Sequence, residues 1–350
     1  MMIQAVLSNP NHPEYGVATI PFPIPRGQYA HCMELLEALE IGDAVKADCK
    51  VTKIDSFYAV LKRAEMLTVN VEELNYLAKR LDSFDTGEAA QFQAMAHKLE
   101  LFELKDLINL TFCCQQATVI TDFSDLAAVG RDHYMNLHGG SASVDELNKL
   151  VGEDAARQLI ESGSGTVTPY GVVYDNGMKL EQVYDGRFFP CYYYEPNAIT
   201  VAVTSKAEPE DTEHITWLYL PMVQEEIDRA LLRGGITDSA GVRLRLEDSQ
   251  LPNEVDVLLD MEYSNLSIEE LCRPSVTVPD WAREEADIAP DAKLDCYVDE
   301  DSGVITVCEA DNDFDLSDVS PVILYALRKS GCCLSALEDA LMENDIIYDK

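Results

Sequence analysis

The sequence predicts an α+β protein, a mixed α/β chain of several small modules with short helices and small antiparallel sheets. Three observations carry this. Residues 67–162 repeat apolar side chains at helical spacing behind residues suited to capping helix starts. Residues 163–250 instead alternate apolar and polar positions between Gly, Pro and Asn turn signals. Apolar residues make up 47% of the 350, enough for a sizeable core over a length that fits more than one domain. The expected modules are a strand-rich 1–66, a helix-rich 67–162, a hairpin and sheet module with one helix at 163–250, and a highly acidic 251–350.

At the start, "IQAVL" and "VATIPFPI" read as strands, and "YAHCMELLEAL" and "FYAVLKRAEML" as helices. Asn70 can cap "VEELNYLAKRL", where Val71, Leu74, Leu77 and Leu81 share one face. Thr86 or Asp85 can cap "EAAQFQAMAHKLE", and "ELKDLINLTF" continues the helical pattern. A short strand, "ATVITDF", precedes a helix with Ser124 as its cap, and Ser143 caps "VDELNKLV". Beyond "SGSGTVTPYG", the segments "TVTPYGVVY", "MKLEQVY", "FFPCYYY", "ITVAVTS" and "ITWLYLP" read as strands. The Asn-Gly step of Asp175-Asn176-Gly177 suits a hairpin turn between the first two. Pro221 opens a helix whose stripe is Val223, Ile227, Ala230 and Leu231, with Gly234 as its stop. In the last hundred residues Ser267 and Glu270 form a capping box, "LDCYV" and "VITVC" form a hairpin around "DEDSG", and two helices follow Ser320.

Charge is the outstanding feature. The chain carries 63 acids against 26 bases, a net charge of −37. Residues 1–250 hold 38 acids and 20 bases, whereas residues 251–350 hold 25 and 6, so the C-terminal module carries about half the excess in under a third of the length. Such a field repels nucleic acid and anionic membrane surfaces and attracts basic grooves over a Debye length of about 8 Å. Direct nucleic-acid binding is therefore not expected. Solubility or salt adaptation is the plainer explanation of the same charge.

Enzyme and metal chemistry find little support. The ten cysteines include no C-x-x-C pair, and the six histidines show no H-x-x-x-H or H-E-x-x-H grouping, so no metal site and no cofactor is expected. "DNDFDLSDVSPV" opens like a calcium loop at Asp311, Asp313 and Asp315 but has Leu316 at the glycine position and Val322 at the final glutamate position. His133 and His138 flank a helix end, where an imidazole commonly meets carbonyl groups. "FFPCYYY" has one neighbouring base, Arg187, so a half-buried strand explains it better than base stacking. No leader peptide pattern opens "MMIQAVLSNPNHPEYG" and no apolar run nears the roughly 20 residues of a membrane span. A cytoplasmic protein with reduced thiols is expected.

The acids remain as the candidate site. Between residues 280 and 318 stand fourteen: Asp280, Glu284, Glu285, Asp287, Asp291, Asp295, Asp299, Glu300, Asp301, Glu309, Asp311, Asp313, Asp315 and Asp318, against Arg283 and Lys293. Glu225, Glu226, Asp82, Asp85 and Glu88 are further candidates on helical segments. Duplex DNA presents one negative charge per roughly 1.7 Å of axis, and carboxylates accept Arg forks much as phosphates do. A folded surface of carboxylates can therefore fill a basic DNA groove, and rigidity keeps the ordering cost low.

The stretch "ELNYLAKRLDSFDTGEAAQFQAMAHKLELFELKDLINLTFCCQQATVITDFSDLAAVGRDHYM", Glu73 to Met135, resembles a module of the ArdA antirestriction family in its order of helices, strand and closing short helix. "QAVLSNPNHPEYGVATIPFPIP" and "TPYGVVYDNGMKLEQVYDGRFFPCYYY" are similar to longer proteins grouped with that family on mobile elements. The resemblance covers roughly residues 1–260. It implies an elongated, acidic, non-enzymatic DNA mimic, usually a homodimer, whose partner is the basic DNA-binding groove of a type I restriction–modification enzyme. The chain is longer than compact members of the family, and its last 90 or so residues lie outside the resemblance. An inhibitor of another defence nuclease, such as a CRISPR effector with its equally basic channel, is the alternative, as is an acidic adaptor without mimicry.

Overall fold

The computed structural model describes residues 3–194, 197, 199–206, 213–220, 222, 224–237 and 241–249, with the paired backbone segments 294–298 and 305–309. These residues form eight α-helices and four small antiparallel sheets, the mixed architecture that the sequence predicts. Two compact units divide the chain, residues 1–190 and 191–350.

The first unit opens with a four-stranded sheet, order β2-β1-β3-β4. Its strands are β1 (Ile3–Ser8), β2 (Ala18–Phe22), β3 (Cys49–Asp55) and β4 (Thr68–Val69). Ile3, Ala5 and Leu7 of β1 and Ala18, Ile20 and Phe22 of β2 are buried at a period of two, as a half-covered strand requires. A register shift between Val6 and Leu7 breaks that period on β3, so Cys49 and Val51 are followed inward by Ile54. Helix α1 (Tyr29–Glu37) fills the place expected. "FYAVLKRAEML" is not an α-helix: residues Ala59–Ala64 form a 3-10 helix. Tyr58, Leu61 and Ala64 are buried at every third position, which is the 3-10 period.

Helix α2 (Val71–Asp82) buries Val71, Leu74, Leu77 and Leu81, and the Asn70 side chain accepts from Glu73 N–H at its start. Helix α3 (Thr86–Lys98) begins with a capping box between Asp85 and Glu88 and is buried on several faces, including Gln91, Phe92, Ala94 and Met95. Helix α4 (Leu104–Leu110) packs on α2. Helix α5 (Leu126–Leu137) takes Asp125 as its cap, not Ser124, because Asp122 holds both the amide and the hydroxyl of Ser124. Helix α6 (Val144–Lys149) has the Ser143 cap, closed into a box by Glu146, and α7 (Gly152–Glu161) returns against α5.

The second sheet, order β5-β7-β6, joins β5 (Thr118–Ile120) to the hairpin of β6 (Thr166–Thr168) and β7 (Gly171–Tyr174). The turn at Asp175-Asn176-Gly177 forms with positive φ at Asn176 and Gly177, and Met178 N–H reaches Asp175 O at 2.8 Å. No hairpin follows it. Both edges of β7 are already taken by β5 and β6, so "MKLEQVY" has no strand edge to pair with and is irregular. "FFPCYYY" is likewise not a strand.

In the second unit, β8 (Ile199–Ser205) lies between β10 (Val242–Ser249) and β9 (Thr216–Leu220). Six consecutive residues of β8, Ile199 to Thr204, are buried, the mark of a central strand covered on both faces. Helix α8 (Gln224–Gly234) ends in a Schellman cap: Gly235, at φ 77°, donates to Leu232 O, and Ile236 N–H reaches Leu231 O at 2.9 Å. Gly235, not Gly234, is the stop. Gly234 instead lies against Thr216, with no room for a Cβ. The expected hairpin of "LDCYV" and "VITVC" is present as β11 (Leu294–Val298) and β12 (Ile305–Glu309). The Ser267–Glu270 box and the helices after Ser320 lie outside the described residues.

Candidate partner-binding surface

Residues 1–190 carry 27 acids and 15 bases, and members of both sets are bonded within the fold. Several bases bond to acceptors of the chain. Arg80 donates to Thr111 O at 3.0 Å and to Thr111 Oγ1 at 3.2 Å, with its guanidinium 4.3 Å from the Phe112 ring centre. Lys98 meets Asp175 at 2.7 Å, Lys105 donates to Asp185 O at 2.8 Å, and Arg63 reaches Ala96 O. The hydrogen bond from Lys98 holds the Asp175 carboxyl below the usual carboxylate range. Carboxylates at Glu34, Glu37, Glu40, Asp145, Glu153 and Asp154 are exposed.

The candidate acids at the α2–α3 junction also have structural duties. Asp85 Oδ1 accepts from Glu88 N–H at 2.8 Å, and Glu88 Oε2 accepts from Asp85 N–H at 3.1 Å. Glu88 Oε1 accepts from Gln115 Nε2 at 3.3 Å. Both oxygens of Glu88 are thus engaged within the fold, whereas Asp85 is exposed and fixed in direction by its cap. Asp82 is half-buried at the end of α2. Glu225 and Glu226 occupy the first turn of α8, where the helix dipole favours negative charge.

Asp295 and Glu309 lie on the β11–β12 pair. Leu294 pairs with Glu309 and Asp295 with Cys308, so the two acids fall on alternate positions of the pleat. Asp280, Glu284, Glu285, Asp287, Asp291, Asp299, Glu300, Asp301, Asp311, Asp313, Asp315 and Asp318 lie outside the described residues.

Two acids that sequence reasoning passed over are locked by phenols at the start of α2. Tyr29 donates to Glu72 Oε1 at 3.2 Å, and Tyr184 to Glu73 Oε1 at 2.8 Å. The segment bearing Tyr184 docks through Asn109, whose Oδ1 accepts from Tyr184 N–H at 2.7 Å and whose Nδ2 donates to Tyr184 O at 3.0 Å. Phe189 stacks on Tyr184 and on Tyr76, with ring centres 5.1 and 4.5 Å apart, and Tyr76 Oη donates to Pro190 O. Part of the aromatic run "FFPCYYY" therefore serves as an internal clamp, a role invisible without the partner helix. In the second unit, Tyr192 N–H donates to Tyr219 Oη at 2.9 Å.

Among the described residues, no group of three or more His, Cys, Asp and Glu is placed to hold a metal ion. Cys32, Cys49, Cys113 and Cys114 are buried free thiols, and burial pushes the Cys32, Cys113 and Cys114 thiols above the ordinary range, which keeps them un-ionised and unreactive. His138 behaves as predicted, with Nδ1 2.7 Å from Tyr134 O at the end of α5. His133 does not: its Nδ1 meets the hydroxyl of Thr118 at 3.0 Å. No helix among the described residues is long and apolar enough to cross a membrane.

No family model matches the chain, and no curated protein does. What the molecule offers is an acidic surface on a firm scaffold.

Proposed function

We propose that this protein is a non-enzymatic antirestriction protein, an acidic mimic of duplex DNA that occupies the basic groove of a type I restriction–modification enzyme. The observation that supports the reading is the excess of acids on a folded scaffold: residues 1–190 carry 27 acids against 15 bases, and Glu34, Glu37, Asp85 and Asp154 stand exposed. Carboxylates held by caps and helices meet a basic groove without the ordering cost of a flexible acidic tail. The resemblance of Glu73–Met135 to the antirestriction module names the groove. The chemistry is binding alone: counterions leave the groove as carboxylates replace phosphates.

The test is competition. Protein is titrated into a type I restriction–modification complex bound to labelled duplex, at low and at moderate salt. Displacement near stoichiometric protein, weakening as salt rises, is the expected result. A triple reversal of Asp299, Glu300 and Asp301 to Lys is expected to weaken displacement without unfolding the protein. Full inhibition by that triple variant removes the 299–301 segment from the surface.

A second reading, an acidic adaptor, is favoured by exposed apolar side chains around the helices of residues 123–151: Phe123, Leu137, Val144 and Val151. Partner binding through them would change little with salt, whereas mimicry falls steeply. Displacement from another defence nuclease, with none from the type I complex, would redirect the same mimicry to a different groove.

A further inference from the structure

The hydroxyl of Thr118 joins three elements of the first unit. Thr118 is 2% exposed on β5. Its Oγ1 lies 3.0 Å from His133 Nδ1, 3.3 Å from Asn136 Nδ2 and 2.9 Å from Asn176 Nδ2. His133 and Asn136 stand one turn apart on α5, and Asn176 belongs to the turn after β7.

Counting donors fixes the protons. Asn136 Nδ2 also reaches Ala117 O at 3.1 Å, and Asn176 Nδ2 reaches Gln116 O at 2.8 Å. Carbonyl oxygens only accept, so both amides point nitrogen toward β5, and each has one further N–H for the hydroxyl. Those two donors fill both lone pairs of Thr118 Oγ1. The hydroxyl's own proton then goes to His133 Nδ1, which must carry a lone pair. His133 is neutral, with its proton on Nε2.

We propose that Thr118, His133, Asn136 and Asn176 form a proton-operated latch that holds α5 on β5 while His133 is neutral and loosens it when His133 takes up a proton. A second proton on the ring sits on Nδ1, where it faces an oxygen with no lone pair left, so one bond of the hub is lost. Burial acts in the same direction, pushing the His133 pKa below its ordinary value. The sign follows: the unfolded chain takes up this proton near 6.5 and the folded chain only lower, so the latch is complete above about 6.5 and weakens as pH falls toward the folded value.

The other groups around His133 do not duplicate this behaviour. β5 contributes no titratable side chain. The 3-10 turn at Cys114–Gln116 contributes the Cys114 thiol, kept un-ionised by burial. From β7 and its turn come Tyr174 and the Lys98–Asp175 pair, and from α7 the exposed Glu153, Asp154, Arg157 and Glu161. On α5 itself stand Arg131 and Asp132, with Asp125 at its cap and His138 at its end. His138 Nδ1 donates to a carbonyl, a bond that survives protonation of the ring.

The experiment uses the full chain. Nitrogen chemical shifts of His133 at neutral pH are expected to show a bare Nδ1 and a protonated Nε2. Hydrogen exchange of Leu126–Leu137, corrected for the intrinsic effect of pH, is expected to accelerate by up to about tenfold per pH unit below the ordinary imidazole value. His133→Gln, whose amide oxygen can accept from Thr118, should remove that acceleration, whereas His138→Gln should keep it. A protonated Nδ1 at neutral pH overturns the latch in the unaltered protein. So does exchange in α5 that ignores pH, or a His133→Gln variant that responds as the parent does.

Discussion

Replacing Asn109 by Leu probes the clamp that holds the 184–190 segment. Asn109 and Tyr184 are both fully buried, and the amide serves as a surrogate strand edge, accepting from Tyr184 N–H at 2.7 Å and donating to Tyr184 O at 3.0 Å. Leucine is close to asparagine in shape but leaves both backbone groups without a partner. Each orphaned group costs about 1–3 kcal/mol, and the added apolar burial returns roughly 1–2 kcal/mol of the total. At a mid-range cost of about 2 kcal/mol for each group, a net loss of about 2–3 kcal/mol is expected in the unfolding free energy from urea titration followed by circular dichroism. Loss of the clamp should also accelerate hydrogen exchange at Tyr184 and unstack Phe189 from Tyr76, which near-ultraviolet dichroism would register. A variant within about 0.5 kcal/mol of the parent would refute the reasoning, since a buried pair of this geometry cannot be removed so cheaply.

Two further substitutions separate charge from architecture. Asp85→Ala removes the α3 cap and should cost about 1 kcal/mol, while Asp85→Asn keeps a capping oxygen without the charge and should stay near the parent in denaturant midpoint; equal losses in both would mean that charge, not the cap, is what Asp85 contributes to stability. Gly130→Ala places a methyl onto the carbonyl of Gly152 where α5 and α7 cross, so a loss of about 1–3 kcal/mol is expected in thermal melts, and an unchanged Tm would show that the two helices part without resistance.

The sequence by itself determined the elements whose signals are local. Val71, Leu74, Leu77 and Leu81 face inward because a helical period repeats them on one side, and Asn70, Asp85 and Ser143 cap because their side chains reach amides only three residues ahead. The acidity of the chain was equally plain in its composition. Tertiary structure decided whatever depended on a distant partner. The Asp175-Asn176-Gly177 turn formed, yet its hairpin did not, because β5, from some fifty residues earlier in the chain, already occupied the edge of β7. The Phe189–Pro190 part of the aromatic run became a clamp on α2 because Asn109 holds Tyr184 beside it. His133 left the helix-end role that suits its position because Thr118, Asn136 and Asn176 converge there. The same holds for the candidate surface: the count of carboxylates is linear information, but which are engaged, as Glu88 is by Gln115, and which bases bond within the fold, as Arg80 does to Thr111, follows from contacts that only the folded chain brings together.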